Sequence, residues 1–449
     1  MLDLFHASSR NCEGISRRSL LKIGGLGLGN LALPELLRLR AQDRAEGRTT
    51  SDTAVILLWL DGGPSQFETY DPKPDAPAEY RGPYQTIQTN VVGLNLCELL
   101  PMHAQIADKI AVVRSVAHRE SGHGSAVKNL NTGYLHPPGT NEGTFLYPGT
   151  GAVVAKSREQ ERRGLPHYVC VPTAGIFKGD VGGGAYLGSA YDPFAANPAD
   201  GAGALIPPAE LSLSRLQNRR ALLSSLDRMR RDTDASGMME GMDAFTRQAF
   251  EMVTGRAARE ALDLSREPTS VRQRYGFSSA VDRNAVWGQN CLLARRLVEA
   301  GVSFVGLGMG SWDDHGEALT QRLPQRAQVY DRTVTALIED LYARGLDRKV
   351  LVLAWGEFGR TPRINRGGRD HWPSSMSVML AGGGLRMGQA VGSTNARGER
   401  PQDRSLHPND VLATVYRHLG IDHRHAFVNP QGRPIPLLPN GEPIAELVG

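Results

Sequence analysis

The stretch Ala54-Val-Ile-Leu-Leu-Trp-Leu60-Asp61-Gly62-Gly63 is the clearest structural signal in the sequence. Its apolar part shows no polar alternation, which is typical of a strand buried on both faces of a parallel sheet. The run ends in an acidic residue and a glycine pair, so a sharp turn is expected there. Ligands in such sheets bind beyond the carboxyl ends of the strands. The stretch therefore predicts an α/β fold with a functional carboxylate, Asp61, at one sheet edge.

Similar apolar runs recur along the chain and alternate with segments of helical periodicity. This order predicts a doubly wound, mostly parallel sheet with helices on both faces. Between residues 139 and 295 the chain is first rich in Gly and Pro and then charged and helical, which indicates an insertion within one domain. The further predicted strands are Ile110–Val116, Val302–Leu307, Val350–Trp355 and Ser377–Leu380, and the predicted helices are Leu99–Ile106, Ser125–Leu130, Pro324–Gly345 and Asp410–Leu419.

Residues 1–48 are predicted to form an export signal and linker, followed by a single α/β domain over residues 49–449. The sequence Ser16-Arg17-Arg18-Ser19-Leu20-Leu21-Lys22 precedes a short apolar stretch that contains glycines, and this arrangement resembles a twin-arginine signal. We therefore expect a periplasmic or cell-surface protein that meets the twin-arginine export machinery. The alternative is an ordinary basic start to a helix.

Composition excludes several functional classes. The net charge of the 449 residues is +4, and the basic start accounts for much of it, so nothing indicates a nucleic-acid partner. No apolar run reaches the roughly 18 residues of a membrane-spanning helix. Of the four cysteines, Cys12 lies in the predicted signal, and three others remain without metal-type spacing. This odd number gives no indication of a disulfide framework.

Acidic and imidazole side chains cluster where predicted strands end or begin. Mixed carboxylate and imidazole ligation suits zinc, manganese or iron better than magnesium or calcium. Two such ions close together can hold both the attacking and the leaving oxygen of a phosphoryl or sulfuryl transfer. We therefore predict a site for one or two divalent ions. The candidate ligands are Asp61, Asp313, His315, Glu357, Asp370 and His371.

Two parts of the chain resemble known enzymes. The segment from Glu98 to Arg114, with Leu130-Asn-Thr-Gly133, resembles the region around the nucleophile in sulfatases and related phosphodiesterases. Asp313, His315 and His371 are similar in placement to metal ligands of cofactor-independent phosphoglycerate mutases. These resemblances imply an alkaline-phosphatase-like fold.

A closer resemblance rests on four short motifs. The chain is similar to the exported family catalogued as domain of unknown function 1501, which is assigned to the same fold. The motifs are Asp61-Gly-Gly63, Trp312-Asp-Asp-His-Gly316, Glu357-Phe-Gly-Arg-Thr-Pro362 and Gly368-Arg-Asp-His-Trp372.

The chain departs from the sulfatase pattern at its centre. His123 stands where that family has a Cys or Ser nucleophile, and Cys170-Val-Pro172 lacks the Arg of the formylglycine signature. Glu357 and Phe358 replace the Asp-His metal pair. The resemblance therefore implies an enzyme that does not depend on formylglycine.

Several roles remain open for the residues near these motifs. His123 is either a nucleophile or a metal ligand; Ser121 or Ser125 could instead attack, helped by the start of the following helix. In a third interpretation His118 and His123 only form hydrogen bonds within the loop. Arg360 either binds a substrate anion or pairs with Glu357 or Asp370. His407 could reach the site, beside a helix capped by Asn409 or Asp410.

Two functions compete at this point. The first is a metal-dependent hydrolase of phosphate or sulfate esters, acting outside the cytoplasm on a small-molecule or polysaccharide ester. The second is a catalytically inactive exported binding or assembly protein that keeps the fold.

Overall fold

The computed structural model describes residues 52–141, 143–161, 165–171, 181–197, 256–278 and 286–448. The predicted export signal and most of the charged part of the predicted insertion lie outside these ranges. Within them, no helix is both long and apolar enough to cross a bilayer.

Eight strands form the central sheet. In chain order they are β1 (Ala54–Trp59), β2 (Ile110–Val116), β3 (Tyr168–Val171), β4 (Phe194–Ala195), β5 (Phe304–Gly308), β6 (Val350–Trp355), β7 (Met376–Gly382) and β8 (Gln389–Val391). Across the sheet the order is β8-β2-β7-β6-β1-β5-β3-β4. Every neighbouring pair is parallel except the two pairs made by β7, which is antiparallel to both β2 and β6. The prediction of a mostly parallel sheet is confirmed.

Strand β1 lies at the centre of the sheet, between β5 and β6, with Leu57 opposite Leu353. Its side chains alternate between two cores. Ile56 and Leu58 belong to one core, whereas Val55, Leu57 and Trp59 belong to the other. Because both faces are covered, neither set of alternating positions can be polar, which explains the unbroken apolar run.

Helices cover both faces of the sheet, as predicted. Helices α3 (Val286–Glu299) and α4 (Leu323–Ala343) contribute side chains to the core that contains Ile56. On the other face lie α1 (His123–Thr132), α2 (Thr150–Ser157) and α5 (Pro408–His418).

Several shorter elements complete the fold. The helices are Ala78–Arg81, Pro101–Gln105, Arg256–Leu262, Thr269–Arg274, Ala318–Gln321 and Ala445–Val448, and the two-stranded pairs are Thr86–Gln88 with Asn95–Cys97, Gly359–Arg360 with His371–Trp372, Ser393–Thr394 with Pro401–Asp403, and Ala426–Val428 with Pro434–Pro436.

The segment 139–295, predicted as an insertion, also supplies parts of the main body. Strand β3 pairs with β5, and helices α2 and α3 pack against the sheet. The apolar patterns of these elements are short and lie within Gly- and Pro-rich sequence, so the elements were not predicted as parts of the main body. The predicted boundaries of the export signal and the insertion remain predictions.

Candidate metal centre

The predicted site residues meet at one edge of the sheet. Asp61, Asp313 and Glu357 follow the carboxyl ends of β1, β5 and β6, and His123 begins the helix that follows β2. His371 reaches the same edge from the opposite direction, because it precedes the antiparallel strand β7.

Glycines allow the loops at this edge to touch. Gly62 has a φ of +103°, and a Cβ atom there would lie 2.4 Å from the backbone nitrogen of Asp313. A Cβ on Gly63 would lie 2.6 Å from the carbonyl oxygen of Phe358. The glycine pair after β1 is thus needed for the close approach of two other loops.

His123, Asp313 and His371 form the centre of the site. Each can offer one ligand atom, and these atoms lie within 4.8 Å of one another. The Oδ1 of Asp313 is 3.1 Å from the Nε2 of His371, and its Oδ2 is 3.5 Å from the Nε2 of His123. The Nε2 of a third histidine, His315, lies 3.0 Å from the same Oδ1. Three imidazoles therefore face one carboxylate.

The Nδ1 atom of each of these imidazoles lies within hydrogen-bond distance of an oxygen acceptor on the side away from Asp313. The Nδ1 of His123 lies 2.6 Å from the Oε1 of Glu357, and that of His315 lies 2.8 Å from the Oδ1 of Asp370. The Nδ1 of His371 lies 2.8 Å from the backbone carbonyl oxygen of Ser121. A neutral imidazole that donates through Nδ1 keeps the lone pair of Nε2 for a metal. The arrangement therefore fits a metal site, with the acceptors orienting the ligands.

Glu357 is completely buried. Its Oε1 also accepts a hydrogen bond of 2.9 Å from the backbone N–H of Gly62, whereas its Oε2 has no hydrogen-bond partner among the described residues. The hydrogen bond from His123 to Glu357 outweighs burial and raises the pKa of His123. Glu357 thus lies behind His123, and its role as a direct ligand remains a prediction.

Arg360 is also completely buried and pairs with Asp313 at 2.6 Å. The sequence had suggested Glu357 or Asp370 as its ion-pair partner; the structure shows Asp313. Its Nε donates to the carbonyl oxygen of Gly63 at 2.8 Å, and its Nη1 donates to that of Arg369 at 3.0 Å. Arg360 therefore holds Asp313 and the loops, and its predicted contact with a substrate anion stays a prediction.

Asp313 is held as a carboxylate. Burial acts to raise its pKa, but the hydrogen bond and charge of Arg360, with contributions from His371 and His315, lower the pKa to about 2. Burial lowers the pKa of His371, which favours its neutral form. Neutral imidazole and ionised carboxylate are the forms that bind metal.

Phe358 forms an apolar wall beside the histidines. Its ring stacks on that of His371 with centroids 4.3 Å apart, and its centroid lies 5.1 Å from that of His123. The side chain is fully buried. The residue that stands in place of a second metal-binding imidazole thus packs against His371 and His123.

Other predicted residues have different surroundings. Asp61 is outside the 4.8 Å group, and its carbonyl oxygen accepts a hydrogen bond from the backbone N–H of Trp312 at 2.8 Å. The hydroxyl of Ser125 donates to the carbonyl oxygen of Gly122 at 3.1 Å. The Nδ1 of His118 accepts from the backbone N–H of Glu120 at 3.2 Å.

His407 is the N-cap of α5, where Asn409 or Asp410 had been expected. Its Nδ1 accepts from the backbone N–H of Asn409 at 3.2 Å, while Asp410 accepts from the backbone N–H of His407 at 2.8 Å. This reciprocal capping box explains the polar cluster His407-Pro-Asn-Asp410 at the start of the helix.

Asp314 and the backbone carbonyl of Ser121 also support the site, and neither was predicted from the sequence. The motif Asp313-Asp314-His315 contains a second carboxylate, Asp314, which is buried and paired with Arg326 at 2.7 Å. The backbone N–H of Arg369 donates to the carbonyl oxygen of Asp314 at 2.9 Å. A run of acidic residues gives no sign of which one faces the site. Nor can the sequence reveal the role of a backbone carbonyl such as that of Ser121.

Comparison with curated proteins finds no match. Among solved structures, the chain is similar to the PsFucS1 sulfatase from Pseudoalteromonas sp., at 12% identity and a TM-score of 0.38, covering 86% of this chain and 70% of that one. It is also similar to the lipoteichoic acid synthase LtaP from Listeria monocytogenes, at 9% identity and a TM-score of 0.36, covering 83% and 73%. A third is the phosphonate monoester hydrolase SpPMH from Silicibacter pomeroyi, at 11% identity and a TM-score of 0.33, covering 83% and 74%. The model of the family described as "Protein of unknown function (DUF1501)" matches residues 52–448, and the chain belongs to that family.

Proposed function

We propose that this protein is a metal-dependent hydrolase of phosphate or sulfate esters that acts outside the cytoplasm without formylglycine. The observation that carries the proposal is the set of three histidines, each anchored at Nδ1, whose Nε2 atoms surround the carboxylate of Asp313. Such anchoring is typical of metal-binding imidazoles.

Asp313, His123 and His371 would hold the ion, with His315 next to them. One imidazole-rich set of this kind favours zinc, manganese or iron over magnesium or calcium. A bound ion would polarise the ester oxygen and lower the pKa of a bound water.

The remaining residues keep the ligands in place. Glu357 and Asp370 orient two of the imidazoles, and Arg360 fixes the carboxylate of Asp313 between them. Phe358 covers one side of His371 and excludes water there.

These contacts favour His123 as a ligand over His123 as a nucleophile. Its Nδ1 is engaged by Glu357, and its Nε2 faces Asp313. Ser121 and Ser125 flank the start of α1, where the positive end of the helix dipole favours developing negative charge. They remain the alternative nucleophiles to a metal-activated water.

The cysteines support a mechanism without formylglycine. Cys97, Cys170 and Cys291 are buried, and no other cysteine occurs among the described residues. Cys170 lies within strand β3 and packs in the core.

Metal content tests the proposal directly. Protein matured through its native export route should contain about one or two tightly bound transition metal ions, and His371→Ala should lose them. His425→Ala, which removes an exposed histidine elsewhere, should retain them. The metal-loaded protein should hydrolyse aryl phosphates or aryl sulfates, and a chelator should abolish the activity. Wild-type protein free of metal after native export would refute the proposed centre.

The location of a signal variant in the cell tests the export route separately. Replacing both Arg17 and Arg18 by Lys should leave the protein in the cytoplasm if the twin-arginine machinery carries it. Unchanged export of that variant would contradict this part of the proposal.

A non-catalytic exported binding protein is the second candidate. The observation that favours it is the engagement of Arg360 with Asp313 and with loop carbonyls, since this arginine was the expected anion-binding residue. A protein that binds its metal but hydrolyses no phosphate or sulfate ester would favour this candidate.

A further inference from the structure

A cavity of about 840 Å³ lies next to the candidate metal centre, and Asp370 belongs to both. The Oδ1 of Asp370 lies 2.8 Å from the Nδ1 of His315, so the cavity begins directly behind that histidine. Trp372, which follows His371 in the chain, forms another part of the wall. A ligand in this cavity would therefore lie beside any group bound by the histidines.

The wall of the cavity is held by one buried side chain. Arg369 is fully buried and forms an ion pair of 2.8 Å with Glu68. Its guanidinium also donates to the carbonyl oxygens of Thr361 at 3.0 Å and Tyr80 at 2.7 Å, and both residues line the cavity. Arg369 thus fixes the backbone at these two positions of the wall before a ligand arrives.

Three exposed arginines that line the cavity, Arg363, Arg366 and Arg400, make no ion pair with any described residue. The two carboxylates in the same wall are already engaged. Asp370 contacts His315, and the Oε2 of Glu399 accepts a hydrogen bond of 2.8 Å from the side chain of Asn395. The guanidinium groups are therefore available to a ligand, and their planar donor pattern matches sulfate, phosphate or carboxylate.

The cavity is far larger than a single sulfate or phosphate and is in the range of sites that bind whole organic molecules. Trp372 gives it a half-buried ring wall, and the indole N–H of Trp372 donates to the carbonyl oxygen of Glu399 at 2.7 Å. Rings of this kind can pack against the C–H face of a sugar. Asn365 and Ser374 add polar groups that can bond to hydroxyls.

We infer that this cavity binds the sugar part of an anionic carbohydrate ester. The substrate would carry a second sulfate, phosphate or carboxylate group in addition to the ester that reacts. This inference rests on the proposed function for the reacting ester, but binding in the cavity needs neither metal nor hydrolysis.

Calorimetric titration of the exported protein tests the inference with sulfated maltohexaose as the probe. Unmodified maltohexaose, which has the same backbone without charge, should bind at least about tenfold more weakly. Arg363→Ala, Arg366→Ala and Arg400→Ala should each weaken binding of the sulfated probe by about tenfold. Arg433→Ala removes an exposed arginine outside the cavity and should leave the affinity unchanged.

Other results would overturn the inference. Equal losses in Arg433→Ala and the cavity variants would show general attraction of a polyanion to the surface. Hexaglutamate binding as tightly as the sulfated sugar, through the same arginines, would exclude carbohydrate as the preferred class. The titration is repeated with a chelator present. Unchanged affinity there would support the cavity even if the hydrolase proposal failed, whereas loss of binding would place the ligand on the metal.

Discussion

At the scale of single residues, burial lowers the pKa of the His118 imidazole from an ordinary value of 6.5 to about 4. The unfolded chain takes up a proton at this histidine near pH 6.5, but the folded chain does so only near pH 4. Between these values the unfolded state binds more protons, so the free energy of unfolding falls as the pH falls. Above pH 6.5 His118 is neutral in both states and costs no unfolding free energy. The loss grows on acidification and is nearly complete at pH 4.

We predict that His118→Gln reduces this acid sensitivity. Wild-type protein should lose about 3 kcal/mol of unfolding free energy through His118 alone between pH 7 and pH 4. The variant should lack this part of the loss. Denaturant titrations at several pH values, with chelator present throughout, would measure it. The exposed His425→Gln serves as the control, and an identical pH dependence in all three proteins would contradict the prediction.

At the scale of loops and other elements, the turn after β1 combines two functions. Gly62 allows the approach of the loop that carries Asp313, and its backbone N–H donates to Glu357. The backbone conformation of Gly62 therefore affects the positions of both Asp313 and Glu357.

We predict that Gly62→Ala destabilises the fold by about 3 kcal/mol, since the left-handed conformation and the contact with Asp313 both oppose a Cβ atom. Gly93→Ala is the matched control. Gly93 also has a positive φ, +83°, but nothing lies within 4 Å of a Cβ built there. This control should cost about 1–2 kcal/mol. Equal unfolding free energies for the two variants, measured in denaturant, would show that the contact has no effect.

The main elements could be predicted from the sequence because the sheet is buried on both faces. The runs Ala54–Leu60 and Val350–Trp355 differ by at most one residue from the observed strands. Asp61, Asp313 and Glu357 could be proposed as ligands because they follow such runs. The pairing of the candidate ligands could not be predicted, since Asp370 meets His315 across 55 residues of chain. Helix α3 was not predicted as a core element, because residues 139–295 were interpreted as an insertion.

At the scale of the whole molecule, a buried ion pair joins distant parts of the chain. Glu68 and Arg369 are 301 residues apart in sequence, and neither side chain is more than 1% exposed. Removing one partner leaves a buried charge without compensation, which is more costly than losing a surface pair.

We predict that Arg369→Met lowers the free energy of unfolding by about 3–5 kcal/mol. Lys349→Met is the control, because Lys349 pairs with Asp52 at the surface and its loss should cost less than about 1 kcal/mol. Both values are obtained from denaturant unfolding. A similarly small loss of unfolding free energy in both variants would contradict the prediction. It would mean that Glu68 finds another partner or is protonated in the folded protein.

The reversed direction of β7 has a consequence for how this protein can diverge. Since β6 and β7 are antiparallel neighbours, residues 356–375 leave the sheet and return to it at adjacent positions. Recombination or engineered grafting that exchanges only this segment would leave the pairing of the other strands unaltered. Such an exchange would transfer Glu357, Asp370 and His371 together with most of the cavity wall. Under the role proposed here for the cavity, exchange of this one segment would change the substrate preference while His123, Asp313 and His315 stay in place.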